Sequence, residues 1–156
     1  MQTLAKKLLD LAKQKSIRVV TAESCTGGMV AAAITSVSGS SDVFDRGFIT
    51  YSAAAKVEML GIDDELVRKF SVISSEVAEA MAEGAIKNSQ AQLSVAITGI
   101  AGPKGGTKAK PVGLVYIASH YEGSTVCEEF HFAGDRQEIR ENAVQQALKL
   151  MISIIS

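Results

Sequence analysis

The chain has 156 residues, 47% of them apolar and 21% charged, which is enough to bury one substantial core in a single domain spanning 1–156. Its 16 basic and 17 acidic residues are mixed along the sequence and give a net charge of −1, which argues against a nucleic-acid-binding or membrane-binding face. There is no apolar signal core and no run of about 18 apolar residues, so we expect a cytoplasmic protein. Two cysteines and two histidines without clustered spacing argue against a zinc site or a disulfide framework.

The first third of the chain alternates helix and strand patterns. An amphipathic stripe predicts a helix over 3–14, and the apolar run 17–21 predicts the first strand. An Ala-rich helix is expected over 29–35, followed by an exposed polar loop at 36–42 and a second strand at 47–51. Helices that alternate with strands are typical of an α/β fold.

The rest of the chain continues the alternation. Further helices are expected at 53–60, capped by Ser52 and stopped by Gly61, at 63–70, at 75–89 and from Asp135 to the last residues. Further strands are expected at 93–98, 112–119 and 125–132, the last two as an antiparallel hairpin. We therefore predict a single-domain, three-layer α/β/α sandwich with a mixed sheet.

The stretch 19–30 predicts a strand, a tight turn and a helix. Unpaired N–H groups at the start of such a helix suit an anionic group such as a phosphate. Ser24 and Thr26 add hydroxyl groups, and Gly27 and Gly28 allow close approach to the backbone. The alternative is that Ser24 or Thr26 only caps the helix.

A lysine is the best candidate for a general base. His120 and His131 lie at the ends of hairpin strands, where a catalytic role is less expected than a structural one. Lys56 has an apolar local setting and follows Tyr51 by five residues, so desolvation there would lower its pKa. The hydroxyl-rich loop 38–41 offers a nucleophile to it, although such a loop is also consistent with a solvated turn.

Seven motifs, in the same order and over nearly the whole chain, resemble the CinA C-terminal domain family. They are residues 21–28, 39–41, 46–52 with Lys56, 72–75, 98–106, 110–113 and 134–136. Stand-alone members of that family are nicotinamide-nucleotide amidases. The other domain of the longer CinA proteins has no counterpart in these residues, so the sequence resembles the stand-alone form.

The resemblance implies hydrolysis of nicotinamide mononucleotide to nicotinic acid mononucleotide and ammonia without a metal or other cofactor. Carried over to matching positions, it implies Ser41 as nucleophile, Lys56 as base and Tyr51 beside the reacting amide. It further implies nucleotide-binding roles for positions in the glycine-rich and C-terminal motifs. These substrate-binding positions are Ser24, Thr26, Thr98, Gly102 and Arg136. Partners would be a small pyridine nucleotide and further copies of the chain in a homodimer or larger homo-oligomer.

Three alternatives stay open at this stage. Ser24 is a rival nucleophile to Ser41. Cys25 would serve as the nucleophile of a cysteine amidase if its thiol pKa were lowered at the helix start. The chain would instead be a non-catalytic module if it only bound pyridine nucleotides.

Overall fold

Five strands form one mixed sheet in the computed structural model, which describes residues 1–156. They are β1 (Val19–Glu23), β2 (Phe44–Ile49), β3 (Leu93–Gly99), β4 (Leu114–Tyr121) and β5 (Ser124–His131). The order across the sheet is β2-β1-β3-β4-β5, with β2, β1 and β3 parallel and β4 and β5 antiparallel to their neighbours. The expected mixed sheet and its C-terminal hairpin are confirmed.

Six helices cover the two faces of the sheet. They are α1 (Gln2–Gln14), α2 (Met29–Thr35), α3 (Ala53–Leu60), α4 (Asp64–Phe70), α5 (Ser75–Lys87) and α6 (Arg136–Ile155). Helices α1, α2 and α6 pack on one face, and α3, α4 and α5 pack on the other, which confirms the three-layer architecture. None of the six helices has both the length and the apolar character that crossing a bilayer requires.

The central strands are apolar because both of their faces are covered. In β1, Val19 packs with the α1/α2/α6 layer, whereas Val20 packs with the α3/α4/α5 layer. In β3, Val95 and Ala96 divide between the two layers in the same way. A continuous apolar run is the expected signature of a strand buried on both faces.

The two ends of α3 follow the predicted caps. The Ser52 hydroxyl accepts a hydrogen bond from the backbone N–H of Ala55, and Gly61 ends α3 in a left-handed conformation with φ of 67°. Asp63 and Ser74 cap α4 and α5 through their side chains in the same way. Local capping signals therefore mark the starts of α3, α4 and α5.

Three strands lie two or more residues away from their predicted positions: β1 and β4 are each shifted by two residues towards the C-terminus, and β2 is shifted towards the N-terminus. β1 continues to Glu23, whose register partners are Ile49 and Ile97. β2 begins at Phe44, three residues before the expected start, because it is an edge strand and carries the charged pair Asp45-Arg46. Charged residues are tolerated on an edge strand, and they hide its sequence signal.

Candidate active site

A cavity of about 260 Å³ lies where the carboxyl ends of the three parallel strands meet. Ser24 follows β1, Tyr51 follows β2, and Ile100 follows β3. Lys56 enters the cavity from α3, and Arg136 enters it from the start of α6. The carboxyl ends of parallel strands are the usual place for a ligand site in an open α/β sheet.

Ser24 and Lys56 are in direct contact inside this cavity. The Lys56 Nζ lies 3.2 Å from the Ser24 Oγ and 2.7 Å from the backbone oxygen of Thr50. The Lys56 side chain is only 1% exposed, and no carboxylate forms an ion pair with it. A buried amine without an opposite charge is poorly stabilised when it is protonated.

Burial lowers the pKa of Lys56 from its ordinary 10.5 to about 8. A deprotonated amine has two N–H groups and one lone pair. It can therefore donate a hydrogen bond to the Thr50 oxygen and accept one from the Ser24 hydroxyl. This is the arrangement of a lysine that acts as a base towards a serine.

Ser41 does not lie in this site. It belongs to a short 3-10 turn, Ser40–Asp42, that precedes β2, and its side chain is exposed. The Val43 oxygen accepts a hydrogen bond from Val19, which places the turn beside the amino end of β1. Lys56 follows the other end of the six-residue strand β2, whose own length is about 20 Å. The expected contact between Ser41 and Lys56 is therefore wrong, and Ser24 is the hydroxyl that Lys56 meets.

The start of α2 is occupied by a carboxylate of the protein itself. The Glu23 Oε2 accepts hydrogen bonds from the Thr26 hydroxyl at 2.7 Å, the Gly28 N–H at 3.1 Å and the Val30 N–H at 3.0 Å. The Glu23 Oε1 accepts another from the Ala31 N–H at 2.9 Å. The expectation that these N–H groups and the Thr26 hydroxyl bind a ligand phosphate is therefore wrong.

Replacing Glu23 with glutamine should lower the free energy of unfolding by about 2 to 3 kcal/mol, because an amide cannot accept the same four hydrogen bonds at two anionic oxygens. Urea unfolding followed by circular dichroism measures the change. Glu58→Gln is the matched control because Glu58 is exposed on α3. Equal unfolding midpoints for the two variants would contradict this account of Glu23.

Thr98 shapes the cavity from behind. Its side chain is fully buried, and its hydroxyl donates a hydrogen bond of 2.7 Å to the backbone oxygen of Val72. Val72 and Ile73 form one wall of the cavity. Lys110, which opens the 110–113 motif and was given no role from the sequence, holds the same wall through the Ile73 oxygen. Thr98 therefore fixes the wall in this structure and does not line the cavity.

Arg136 brings together the remaining predicted residues. One Nη donates a hydrogen bond of 2.7 Å to the Gly102 oxygen, and the other donates one of 3.1 Å to the Tyr51 hydroxyl. Tyr51 is 62% exposed, so it lies at the rim of the cavity and not in its interior. Lys104 lines the same rim, and no carboxylate does. The rim is thus suited to an anionic group.

Cys25 also lines the cavity, but its chemistry differs from that of Ser24. Burial raises the pKa of its thiol to about 11. The side chain is therefore a thiol and not a nucleophilic thiolate at neutral pH. No three His, Cys, Asp or Glu side chains lie close enough together to hold a metal ion.

The sequence profile of the CinA C-terminal domain matches residues 1–155. The chain belongs to this family. This CinA domain is 49% identical over 150 residues to a protein of Caldicellulosiruptor saccharolyticus, with 96% of the chain and 36% of that protein covered. It is 43% identical over 155 residues to a CinA-like protein of Syntrophobacter fumaroxidans, with 99% of the chain and 37% of that protein covered. The domain thus spans little more than a third of the length of these curated relatives.

Solved structures show the same fold as this CinA domain. The competence/damage inducible protein CihA of Agrobacterium tumefaciens is 42% identical, with a TM-score of 0.97 and coverage of 99% of this chain and 95% of that one. A CinA superfamily protein of Escherichia coli is 34% identical, with a TM-score of 0.91 and coverage of 98% and 91%. The chain therefore shares both the family and the fold of these proteins.

Proposed function

We propose that this CinA domain is a serine–lysine amidohydrolase that converts nicotinamide mononucleotide and water to nicotinic acid mononucleotide and ammonia. The contact between the Ser24 Oγ and the Lys56 Nζ is the observation that carries the proposal. The resemblance to nicotinamide-nucleotide amidases supplies the substrate. The buried lysine beside a serine supports the serine–lysine chemistry, and the cationic rim of the cavity supports a phosphorylated substrate.

In the proposed mechanism, deprotonated Lys56 accepts the proton of Ser24 while the serine oxygen attacks the carboxamide carbon. The C–N bond then breaks, and the lysine gives its proton to the leaving group, which departs as ammonia. Water loses a proton to the same lysine and attacks the acyl-enzyme, and this step releases the carboxylate product and restores Ser24. The Thr50 oxygen holds the Lys56 amine in place through both steps.

The rim of the cavity supports the choice of a phosphorylated substrate. Arg136 uses two of its N–H groups on the protein and has others left for a ligand. Lys104 adds a second positive charge beside it. A phosphate held there would keep the remote carboxamide aligned with Ser24, so that binding energy assists the reaction.

The direct test is to incubate the purified protein with nicotinamide mononucleotide, nicotinamide riboside or nicotinamide and to measure ammonia release. We expect turnover of the nucleotide and much slower turnover of the two compounds that lack the phosphate. Binding of the nucleotide by calorimetry without ammonia release would show a binding module instead. Neither binding nor ammonia release would reject the proposed substrate.

Arg136→Gln should raise the KM for the nucleotide about 10- to 100-fold, the equivalent of one charge-assisted hydrogen bond. The KM for the riboside should change much less, because that compound has no phosphate. Steady-state kinetics on both compounds separate this effect from a general disturbance of the rim. Arg68→Gln is the matched control, since Arg68 is exposed on α4 and pairs only with Asp64. If the KM rises equally for both compounds, Arg136 does not bind the phosphate and instead holds Tyr51 and Gly102 in position.

A further inference from the structure

The turn that follows Ser24 contains two N–H groups with no acceptor in the protein. Those of Cys25 and Thr26 donate to no backbone or side-chain oxygen, although both residues are buried. The other N–H groups of residues 24–28 are paired, and they belong to Ser24, Gly27 and Gly28. Buried N–H groups are nearly always hydrogen bonded, so this pair, directly after the proposed nucleophile, calls for a ligand atom as its acceptor.

Arg140 holds the opposite side of the same turn. Its Nε donates a hydrogen bond of 3.0 Å to the Cys25 oxygen, and one Nη donates another of 3.3 Å to the Thr26 oxygen. The Cys25 oxygen and the Thr26 N–H belong to one planar peptide unit and point in opposite directions. Because the Cys25 oxygen points at the Arg140 side chain, the Thr26 N–H points away from that side chain.

The turn lies at the cavity that holds the catalytic pair, since Ser24 and Cys25 both line that cavity and the Lys56 Nζ contacts the Ser24 Oγ. Glu23 fixes the far end of the turn through Gly28 and through the Thr26 hydroxyl. The turn is therefore held from both sides, with its two unpaired donors next to Ser24.

We infer, on the basis of the proposed hydrolysis, that the N–H groups of Cys25 and Thr26 form the oxyanion hole for the carboxamide oxygen. Glu23 and Arg140 are positioning residues that hold these donors in place. The donors stabilise the negative charge that develops on the oxygen when Ser24 attacks. Fixed donors in a buried site need no rearrangement during the reaction, which makes them more effective than water.

The first test compares Arg140→Met and Arg140→Lys with Lys149→Met, a control at an exposed position of α6. We expect kcat for nicotinamide mononucleotide to fall about 10- to 100-fold in Arg140→Met, with partial recovery in Arg140→Lys and no change in the control. The KM should stay within about twofold, because the donors act mainly on the transition state.

A thioamide substrate separates an oxyanion hole from a structural role. Sulfur accepts hydrogen bonds more weakly than oxygen, so the wild-type protein should prefer the amide over the thioamide of the same nucleotide. That preference should shrink in the Arg140 variants as their kcat falls. A fall in kcat with an unchanged preference would assign Arg140 a structural role and overturn the inference.

Replacing Thr26 with its α-hydroxy acid removes one backbone N–H and keeps the side chain. We expect kcat to fall about 100-fold, the usual effect of losing one oxyanion-hole donor. This variant keeps Arg140 and therefore decides the question even where the Arg140 variants unfold. If the variant with the α-hydroxy acid at position 26 keeps the wild-type kcat, the oxyanion hole is wrong and the proposed hydrolysis still stands. If the wild-type protein itself releases no ammonia, both the proposed hydrolysis and the oxyanion hole are wrong.

Discussion

Ser24→Ala should lower kcat for nicotinamide mononucleotide by roughly 10⁴-fold or more, because it removes the atom that attacks the carboxamide. Ser41→Ala should leave kcat and KM within about twofold of the wild-type values. Both changes remove only a hydroxyl, and Ser41 is exposed at the other end of the sheet. The two variants are therefore a matched pair.

Ammonia release measured at saturating substrate checks both expectations, and thermal unfolding confirms that each variant is folded. If Ser41→Ala is inactive and Ser24→Ala is active, the nucleophile is Ser41, in the loop before β2. Normal activity in both variants would exclude serine catalysis at these positions. Binding of the nucleotide to Ser24→Ala should persist, because Arg136 and Lys104 at the rim are unchanged.

The sequence was enough to predict the layers and most helices, because caps and apolar patterns are local signals. It was not enough to predict that β1 lies between β2 and β3, since sheet order depends on pairing between distant segments. The order of the strands determines which residues meet in the cavity. Ser24 and Tyr51 each follow a parallel strand and so meet at one edge, whereas Ser41 precedes its strand and lies at the other.

The signal that separates the two serines was present in the sequence. A serine directly after a strand lies at the carboxyl end, where α/β folds place their sites, and a serine directly before a strand does not.

Strand alternation also indicates the role of Thr98. Ala96 packs in the α3/α4/α5 layer, so Thr98, two residues later, faces the same side and reaches Val72.

The supports of the turn could not be predicted from local patterns. Glu23 has the sequence character of an ordinary surface carboxylate, yet it is 1% exposed and holds the start of α2. Arg140 contacts Cys25 across 115 residues of chain. Contacts of this kind depend on the packing of α6 against the sheet, and no periodicity or motif spacing reports them.

Lys56→Met should abolish turnover at every pH, including the alkaline range in which the wild-type protein is most active. In the wild-type protein the amine must be deprotonated to accept the Ser24 proton. We therefore expect kcat/KM to rise with pH, to reach half of its maximum near the Lys56 pKa of about 8, and to level off above it. Lys104→Met is the matched control, because Lys104 lines the same cavity but is exposed, and its removal should leave the midpoint in place. A midpoint that moves with Lys104, or a profile without a rise near pH 8, would contradict the role of Lys56.

The same substitution should change stability in the opposite direction from activity. Below pH 8 Lys56 is protonated in both the folded and the unfolded protein, and burial penalises the folded state, so Lys56→Met should have the higher Tm at pH 7. Between about 8 and 10.5 the unfolded protein still binds a proton that the folded protein has lost, and the wild-type protein therefore gains stability as the pH rises. The difference in Tm between the two proteins should shrink across this window. A constant difference would mean that the amine does not lose its proton there, and Lys56 would then lack the base form that the attack by Ser24 requires.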